Sequence, residues 1–372
     1  MIRPASLADL DALVRIEDAC FETDRLTRRS FRYMLTKANA TTLVDELDRR
    51  IRGYVLVLFH SGTSLARLYS IATDPACQGK GIGHGLASAA EEVALEHGCV
   101  AMRLEIRRDN PASIAVFKKL GYRFFGEIED YYEDHMDALR FEKLLVPPQN
   151  RALAAVPYYQ QTLEFTCGPA SLMMAMHALD NGAPLDRREE IRLWRESTTV
   201  FMTAGHGGCG PYGLALSAHH RGFDVSIYVK DESALFIDSV RSEEKKEVIR
   251  LVQADFLDQI KESKIALHYG TVSVGELQRQ FEDGAIPMVL ISSYRIYQEK
   301  FPHWVVVTGF DDHFIYVHDP YVDVDAAKSQ TDCMNMPIAK REFERMARYG
   351  KTAQRAVLLL RRPRRGRKSK QQ

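Results

Sequence analysis

Two stretches carry residue types whose spacing could do chemistry. Residues 78–85 read Gln-Gly-Lys-Gly-Ile-Gly-His-Gly, between a segment patterned as a strand and one patterned as a helix. Glycines strip the backbone of side chains where the helix starts. Its first amide groups are then left to bind an anion such as a pyrophosphate. The second stretch runs from Gln161 to Cys167-Gly168-Pro169-Ala170 and into another helical pattern. A thiol at a helix N-terminus faces the positive end of the dipole, which favours the thiolate. Gln161 is spaced to lend an amide N–H to an oxyanion.

A cysteine nucleophile needs a base and a group that orients the base. Trp304–Gly309 and Phe314–Val317 are apolar runs on either side of Asp311-Asp312-His313, which reads as a hairpin. With its turn centred on Asp311, His303 and Asp319 fall opposite one another, or one register step apart. That placement suits a carboxylate orienting an imidazole. His313 falls in the turn, and His318 points to the other face from Asp319.

Cys209 is a rival nucleophile, because Gly208-Cys209-Gly210-Pro211 echoes the surroundings of Cys167. Thr203 stands where a glutamine would be needed, so the loop over 200–213 is read as a wall of the substrate cleft. Gly208 and Cys209 would there admit an extended peptide. His206, His219 and His220 have no carboxylate partner and read as surface or core histidines, so no metal is expected. Met173, Met174 and Met176 read as core filling.

The elements that must position these groups follow from periodicity. Residues 7–20 are helical in pattern, with Ser6 as a candidate cap and Asp9 a poor partner for a capping box. Strands are expected at Gly53–Phe59, Ala66–Ala72 and Val100–Ile106, and helices at Gly83–His97, Pro111–Leu120 and Thr166–Leu179. Strand, glycine loop, helix, strand and helix make an α/β unit. Prolines 147 and 148 break the pattern, so the expected division is a domain over 1–145, a linker over 146–155, a second domain over 156–360 and a basic tail over 361–372.

Composition sets limits. The chain has 372 residues and formal net charge zero, so no global field recruits nucleic acid. The tail reads either as a solvated end or as a patch touching RNA, the ribosome or another polyanion. Six cysteines lack paired metal spacing and fit a reducing compartment. No signal core and no apolar run long enough for a bilayer occur, which leads to the expectation of a cytoplasmic protein with no membrane partner.

Gln78-x-x-Gly81-x-Gly83 resembles the cofactor motif of the GNAT family of N-acetyltransferases, and most of all the branch that acetylates protein N-termini, including ribosomal-protein alanine acetyltransferases. Supporting stretches are Leu68-Tyr69-Ser70-Ile71-Ala72-Thr73-Asp74-Pro75, Leu104-Glu105-Ile106-Arg107, Asn110 and Leu120-Gly121-Tyr122. The resemblance implies a mixed sheet flanked by helices, with acetyl-CoA as cofactor. Amides of Gln78, Gly79, Lys80, Gly81, Ile82 and Gly83 would hold its pyrophosphate, with Ile71 and Ala72 on the preceding strand and Asn110 on the pantetheine arm. Glu105 matches the general base, and Tyr131 and Tyr132 match a substrate-side tyrosine pair. The family's tyrosine acid is replaced by Phe117. Another group or water then protonates the thiolate, or the domain binds coenzyme A without efficient turnover.

Gln161, Cys167-Gly168-Pro169-Ala170, Pro302-His303-Trp304-Val305-Val306-Val307-Thr308-Gly309 and His318-Asp319-Pro320 resemble the C39 and C39-like peptidases, which have a papain-like fold. The expected whole is an α/β (α+β) chain: a GNAT domain followed by a papain-like cysteine peptidase, both acting on one peptide or protein. Two alternatives stay open: a coenzyme A-binding regulatory module, and an amidase or transpeptidase use of the cysteine. Neither the substrate nor the oligomeric state is fixed by the sequence.

Overall fold

The computed structural model describes residues 1–199, 201–202, 205–237, 240 and 242–362. The chain divides into two compact units, Met1–Pro148 and Gln149–Gln372. The expectation for the basic tail falls almost wholly on residues outside those described, as does Thr203.

The first unit runs β1 (Ile2–Pro4), α1 (Leu10–Cys20), α2 (Arg28–Thr36), β2 (Ala40–Leu47), β3 (Arg50–Phe59), β4 (Leu65–Thr73), α3 (Ile82–Glu96), β5 (Ala101–Arg107), α4 (Pro111–Lys119), β6 (Arg123–Ile128) and β7 (Ala138–Leu144). The sheet order is β1-β2-β3-β4-β5-β7-β6. Only β4 and β5 pair in parallel; every other neighbouring pair is antiparallel. Strand alternation sends Val55, Val57 and Leu68 against Leu86, Ala87 and Ala90 of α3. Tyr54, on the opposite face, meets Phe31 of α2 edge-on. The start of the first helix corrects an expectation. Ser6 and Asp9 do form a capping box, because the short Asp9 carboxylate reaches back to the Ser6 amide at 2.8 Å.

The second unit runs β8 (Ala152–Leu153), α5 (Cys167–Leu179), α6 (Arg187–Ser197), β9 (Phe201–Met202), β10 (Gly205–His206), α7 (Pro211–His220), β11 (Asp224–Val229), α8 (Glu243–Ser263), β12 (Ala266–Tyr269) and α9 (Val274–Glu282). It continues with β13 (Ile286–Ser292), α10 (Tyr294–Tyr297), β14 (Pro302–Phe310), β15 (Phe314–His318), α11 (Gln330–Cys333), β16 (Met336–Ala339), α12 (Lys340–Met346) and β17 (Ala356–Arg361). The main sheet is ordered β12-β11-β17-β13-β14-β15-β16, with β8 added beside β14. Part of the expected linker is therefore a strand. One sheet face packs Met288, Trp304 and Val306 against α5 and α7; the other packs Val289, Val305 and Val307 with α9 and α12. α5 is apolar almost all round and is enclosed accordingly.

The β14–β15 hairpin pairs about a centre one residue beyond Asp311. Val306 faces His318 and Val307 faces Val317, but the ladder then slips at Thr308. The extra residue moves the pairing centre, so His303 and Asp319 are diagonal neighbours on one side of the ladder, the second of the two expected placements. Diagonal neighbours still lie within reach of long side chains.

Candidate active sites

In the first unit β4 and β5 share hydrogen bonds only over Leu65–Arg67 and Ala101–Arg103. Past those rungs the strands part. The ladder between β3 and β4 slips at the same place, leaving Tyr69 as the extra residue. The loop after β4 opens with Asp74, whose side chain accepts from the Ala76 amide at 3.0 Å. Gln78, Gly79, Lys80 and Gly81 are then exposed. Gly81 caps α3 in the left-handed conformation (φ 77°) and no side chain satisfies the first amides of that helix. A Cβ at Gly79 or Gly81 would meet nothing within 4 Å, so the space before these amides is open. Uncovered amides at a helix start fit a pyrophosphate such as that of coenzyme A. Ile71 and Ala72 lie on the parting strand, half-buried and buried. Asn110 is exposed and caps α4, its Oδ1 accepting from the Ser113 amide at 3.0 Å.

Glu105 lies on β5 just past the point of divergence. Its carboxylate is held by Arg67 of β4, with Nε 2.9 Å and Nη2 2.8 Å from Oε2. Both side chains are only 4% exposed. Arg67 Nη2 also donates to the Tyr131 hydroxyl at 2.7 Å. Tyr131 meets Tyr132 edge-on, and the Arg107 guanidinium stands over the Tyr132 ring. Burial pushes the Tyr132 phenol upward, with Tyr131 and Glu105 adding to it. The loop carrying these tyrosines meets the α1–α2 loop, where Glu133 N donates to Asp24 at 3.2 Å. Phe117 is buried edge-on to Tyr122 in the core.

In the second unit Cys167 opens α5 and is half-exposed. His303 is buried on β14, and its Nε2 lies 2.6 Å from Asp319 Oδ1. That leaves Nδ1 as the ring's second nitrogen, and Cys167 lies close enough to act on the imidazole electrostatically. Burial pulls the imidazole down, but Asp319 and then Cys167 outweigh it and raise His303 to about 10. Asp319 is fixed from several sides. Oδ1 also accepts from the Tyr321 amide at 2.9 Å, and Oδ2 accepts from the Tyr297 hydroxyl at 2.6 Å. Against the cost of burial, His303, Lys328 and Tyr297 hold its carboxyl below the usual range. The Lys328 ammonium is buried 4.3 Å from the Tyr297 ring centre.

Gln161 is buried, and its Nε2 donates to the Leu163 carbonyl at 2.8 Å, leaving one amide hydrogen for an oxyanion. The loop between Gln161 and Cys167 is held from α6 by Glu190. This fully buried carboxylate accepts from the Thr162 amide (2.8 Å), the Thr162 hydroxyl (2.7 Å), the Tyr159 hydroxyl (2.9 Å) and the Thr166 hydroxyl (2.5 Å). Nothing local in Arg187-Arg188-Glu189-Glu190 singles this residue out, because its partners belong to another element. Tyr297 and Lys328 escaped the sequence reading for the same reason.

Cys209 corrects an expectation. Its side chain faces the core rather than the cleft, packs 3.3 Å from where a Gly168 Cβ would stand, and has its thiol pushed well up by burial. Its carbonyl accepts from the Trp304 indole at 3.0 Å. Gly208 alone of that pair is exposed. Gly168 is required by this close approach of Cys209, Trp304 and Leu214. His318 is occupied structurally, with Nε2 2.9 Å from the Val156 carbonyl. Among the described residues no metal-holding cluster occurs, and no helix is long and apolar enough to cross a membrane.

Each unit thus carries its own candidate site, a glycine loop before a helix in the first and a half-exposed thiol at a helix start in the second. Comparison with known proteins agrees with that division. The chain belongs to the Peptidase_C39 like family, whose profile matches residues 156–361. The acetyltransferase (GNAT) family profile matches residues 10–122, and the first unit is an N-acetyltransferase domain. Acetyl-CoA is the cofactor of that family. An uncharacterised N-acetyltransferase of Methanocaldococcus jannaschii is 31% identical over 140 residues, 37% of this chain and 88% of the relative. A Bacillus subtilis protein, provisionally named as a ribosomal protein bS18-alanine N-acetyltransferase, is 30% identical over 135 residues, 36% of this chain and 87% of its own. The crystal structure of the Escherichia coli ribosomal-protein-S18-alanine N-acetyltransferase aligns with 40% of this chain and 96% of its own, at 21% identity and a TM-score of 0.37.

Proposed function

We propose that this chain is a bifunctional enzyme: an acetyl-CoA-dependent N-acetyltransferase acting on a peptide or protein N-terminal amine, joined to a C39-like cysteine peptidase acting on the same substrate. The observation that carries the peptidase half is the buried His303–Asp319 pair beside a half-exposed thiol at a helix start. With His303 held as the imidazolium, the proton shared between the thiol and the ring sits on the ring, and Cys167 Sγ attacks the scissile carbonyl. Gln161 donates to the developing oxyanion. His303 passes the proton to the leaving amine, and water, deprotonated by His303, then hydrolyses the thioester. Asp319 keeps the ring turned and supports its charge throughout.

In the acetyltransferase half the amides of residues 78–83 would hold the pyrophosphate of acetyl-CoA, and Asn110 would reach its pantetheine arm through Nδ2. When bound, the cofactor supplies the acetyl thioester. Tyr131 and Tyr132, from the loop that meets Asp24, would flank the acceptor amine. The shared name of two relatives, an alanine N-acetyltransferase of a ribosomal protein, supports a protein N-terminus as acceptor. The protein would act in the cytoplasm, where acetyl-CoA is available.

The test uses the full chain carrying Cys167→Ala to trap bound peptides from lysate, followed by sequencing. The wild-type chain with acetyl-CoA should then cut the trapped substrate and leave an acetylated new N-terminus by mass spectrometry. A cut product with a persistently free amine would separate the two activities. Coenzyme A binding with no transfer to any peptide would favour the regulatory-module reading, which the buried Phe117 supports.

A further inference from the structure

Attack on a thioester requires an ammonium acceptor to lose a proton, and the Glu105 carboxylate is already engaged by the Arg67 guanidinium. A second buried acid lies on the same side of the sheet. Glu17 of α1 is 2% exposed. Its Oε1 accepts from the Leu26 amide at 2.7 Å, at the end of the α1–α2 loop. Its Oε2 accepts from the Tyr54 hydroxyl of β3. The Tyr54 oxygen lies 2.8 Å from Ser70 Oγ. Because Tyr54 donates its only proton to Glu17, Ser70 must donate to Tyr54. The three groups thus form a wire with one polarity, Ser70 to Tyr54 to Glu17. Ser70 is half-buried on β4, beyond the rung at Arg67 where β4 leaves β5, beside the residue that bulges.

We propose that the acceptor's first proton leaves through Ser70 and Tyr54 to Glu17, with Ser70 touching the amine and the other two acting through it. This rests on the acetyltransferase reading of the first unit. An acceptor N–H bond breaks as Ser70 Oγ takes the proton. Ser70 passes its own proton to Tyr54, and Tyr54 passes its own to Glu17, which becomes the neutral acid. The freed lone pair forms the C–N bond to the acetyl carbon. The C–S bond then breaks, and the second amine proton goes to the departing thiolate. Glu17 later returns its proton to solvent.

Burial raises the Glu17 carboxyl above its ordinary value, which strengthens it as a proton acceptor. The titratable groups facing it are Asp18 and Cys20 on α1, Arg25 on the following loop and Tyr54 on β3. Asp18 raises it further, and Arg25 and the hydrogen bonds from Tyr54 and Leu26 oppose the rise. The relay needs Glu17 ionised, so the transfer rate rises with pH as that carboxyl loses its proton.

The test compares wild type, Glu17→Gln, Tyr54→Phe and Glu105→Gln full chains, with acetyl-CoA and a peptide bearing an N-terminal alanine. Tyr54→Phe keeps the ring and removes only the wire, which guards against a fold defect in Glu17→Gln. Calorimetric acetyl-CoA binding is followed in each. The expected result is a loss of about 100-fold in kcat in Glu17→Gln and Tyr54→Phe, with unchanged acetyl-CoA affinity and no acidic limb in the pH profile of Glu17→Gln. A wild-type chain that acetylates while both variants keep its pH profile and kcat would overturn the relay alone. A wild-type chain with no transfer would overturn the acetyltransferase reading and the relay with it.

Discussion

Arg67 and Glu105 sit on two strands that stop pairing between them, and their side chains close the gap that the backbones leave at 2.8 Å. This ion pair bridges the split sheet at its point of divergence. It is almost completely shielded from solvent, so its members are worth more together than either alone. Removing one partner of such a pair costs about 3–5 kcal/mol, whereas apolar replacement of both is often close to neutral. Arg67→Met and Glu105→Leu should each lower the denaturant midpoint of the first unit. The double variant should lose clearly less than the sum, measured as a double-mutant cycle.

The second-unit pair gives a pH prediction. His303 is raised from 6.5 to about 10, so its native imidazolium stabilises the fold fully below 6.5. That contribution is lost as pH rises from there through about 10. Asp319→Asn removes the largest raising influence, so the His303 ring should titrate nearer its ordinary value. Proton resonances of the ring, followed across pH in both forms, check this; an unmoved midpoint would refute it.

Glu190 should matter to chemistry it never touches. Glu190→Ala leaves several buried donors unpaired, each costing about 1–3 kcal/mol. The loop from Gln161 to Thr166 then loses its anchor, and labelling of Cys167 by an electrophilic peptide probe should slow. Glu190→Gln, which keeps an acceptor, should recover part of both losses. Equal labelling rates in all three chains would show that the loop is held by other means.

At Gly81 a side chain meets no neighbour but must adopt φ 77°. Gly81→Ala should therefore cost about 1–2 kcal/mol of strain and also crowd the open anion face. Coenzyme A affinity, read by calorimetry, should fall more than tenfold. Gly98 has φ 75° and equally open space, yet closes the far end of α3. Gly98→Ala should show similar strain with affinity intact.

The candidate residues set in a local pattern are legible in the sequence. A thiol before Gly-Pro and a helical run, or glycines before an amphipathic helix, announce themselves within ten residues. His303 and Asp319 are legible because they end apolar strands, but which of the two expected registers they take depends on the slip at Thr308, which no apolar alternation reports. Arg67, Glu190 and the Glu17–Tyr54 pair were invisible for a different reason. Each is a charged or polar residue whose burial depends on a partner dozens of positions away, and pairing across a sheet or between helices leaves no periodic trace. Asp9 shows the smaller error of judging a cap by residue type when its reach was sufficient.

The early parting of β4 from β5 has a consequence for handling the protein. Leu68–Thr73 and Leu104–Arg107 each present a backbone edge with no ladder partner inside the sheet. Unpaired edges are templates for association between chains. A ligand whose own amides can bridge the cleft would complete both edges at once. The chain should therefore be most prone to aggregate when purified without coenzyme A, and its solubility and melting temperature should rise together as the ligand is added.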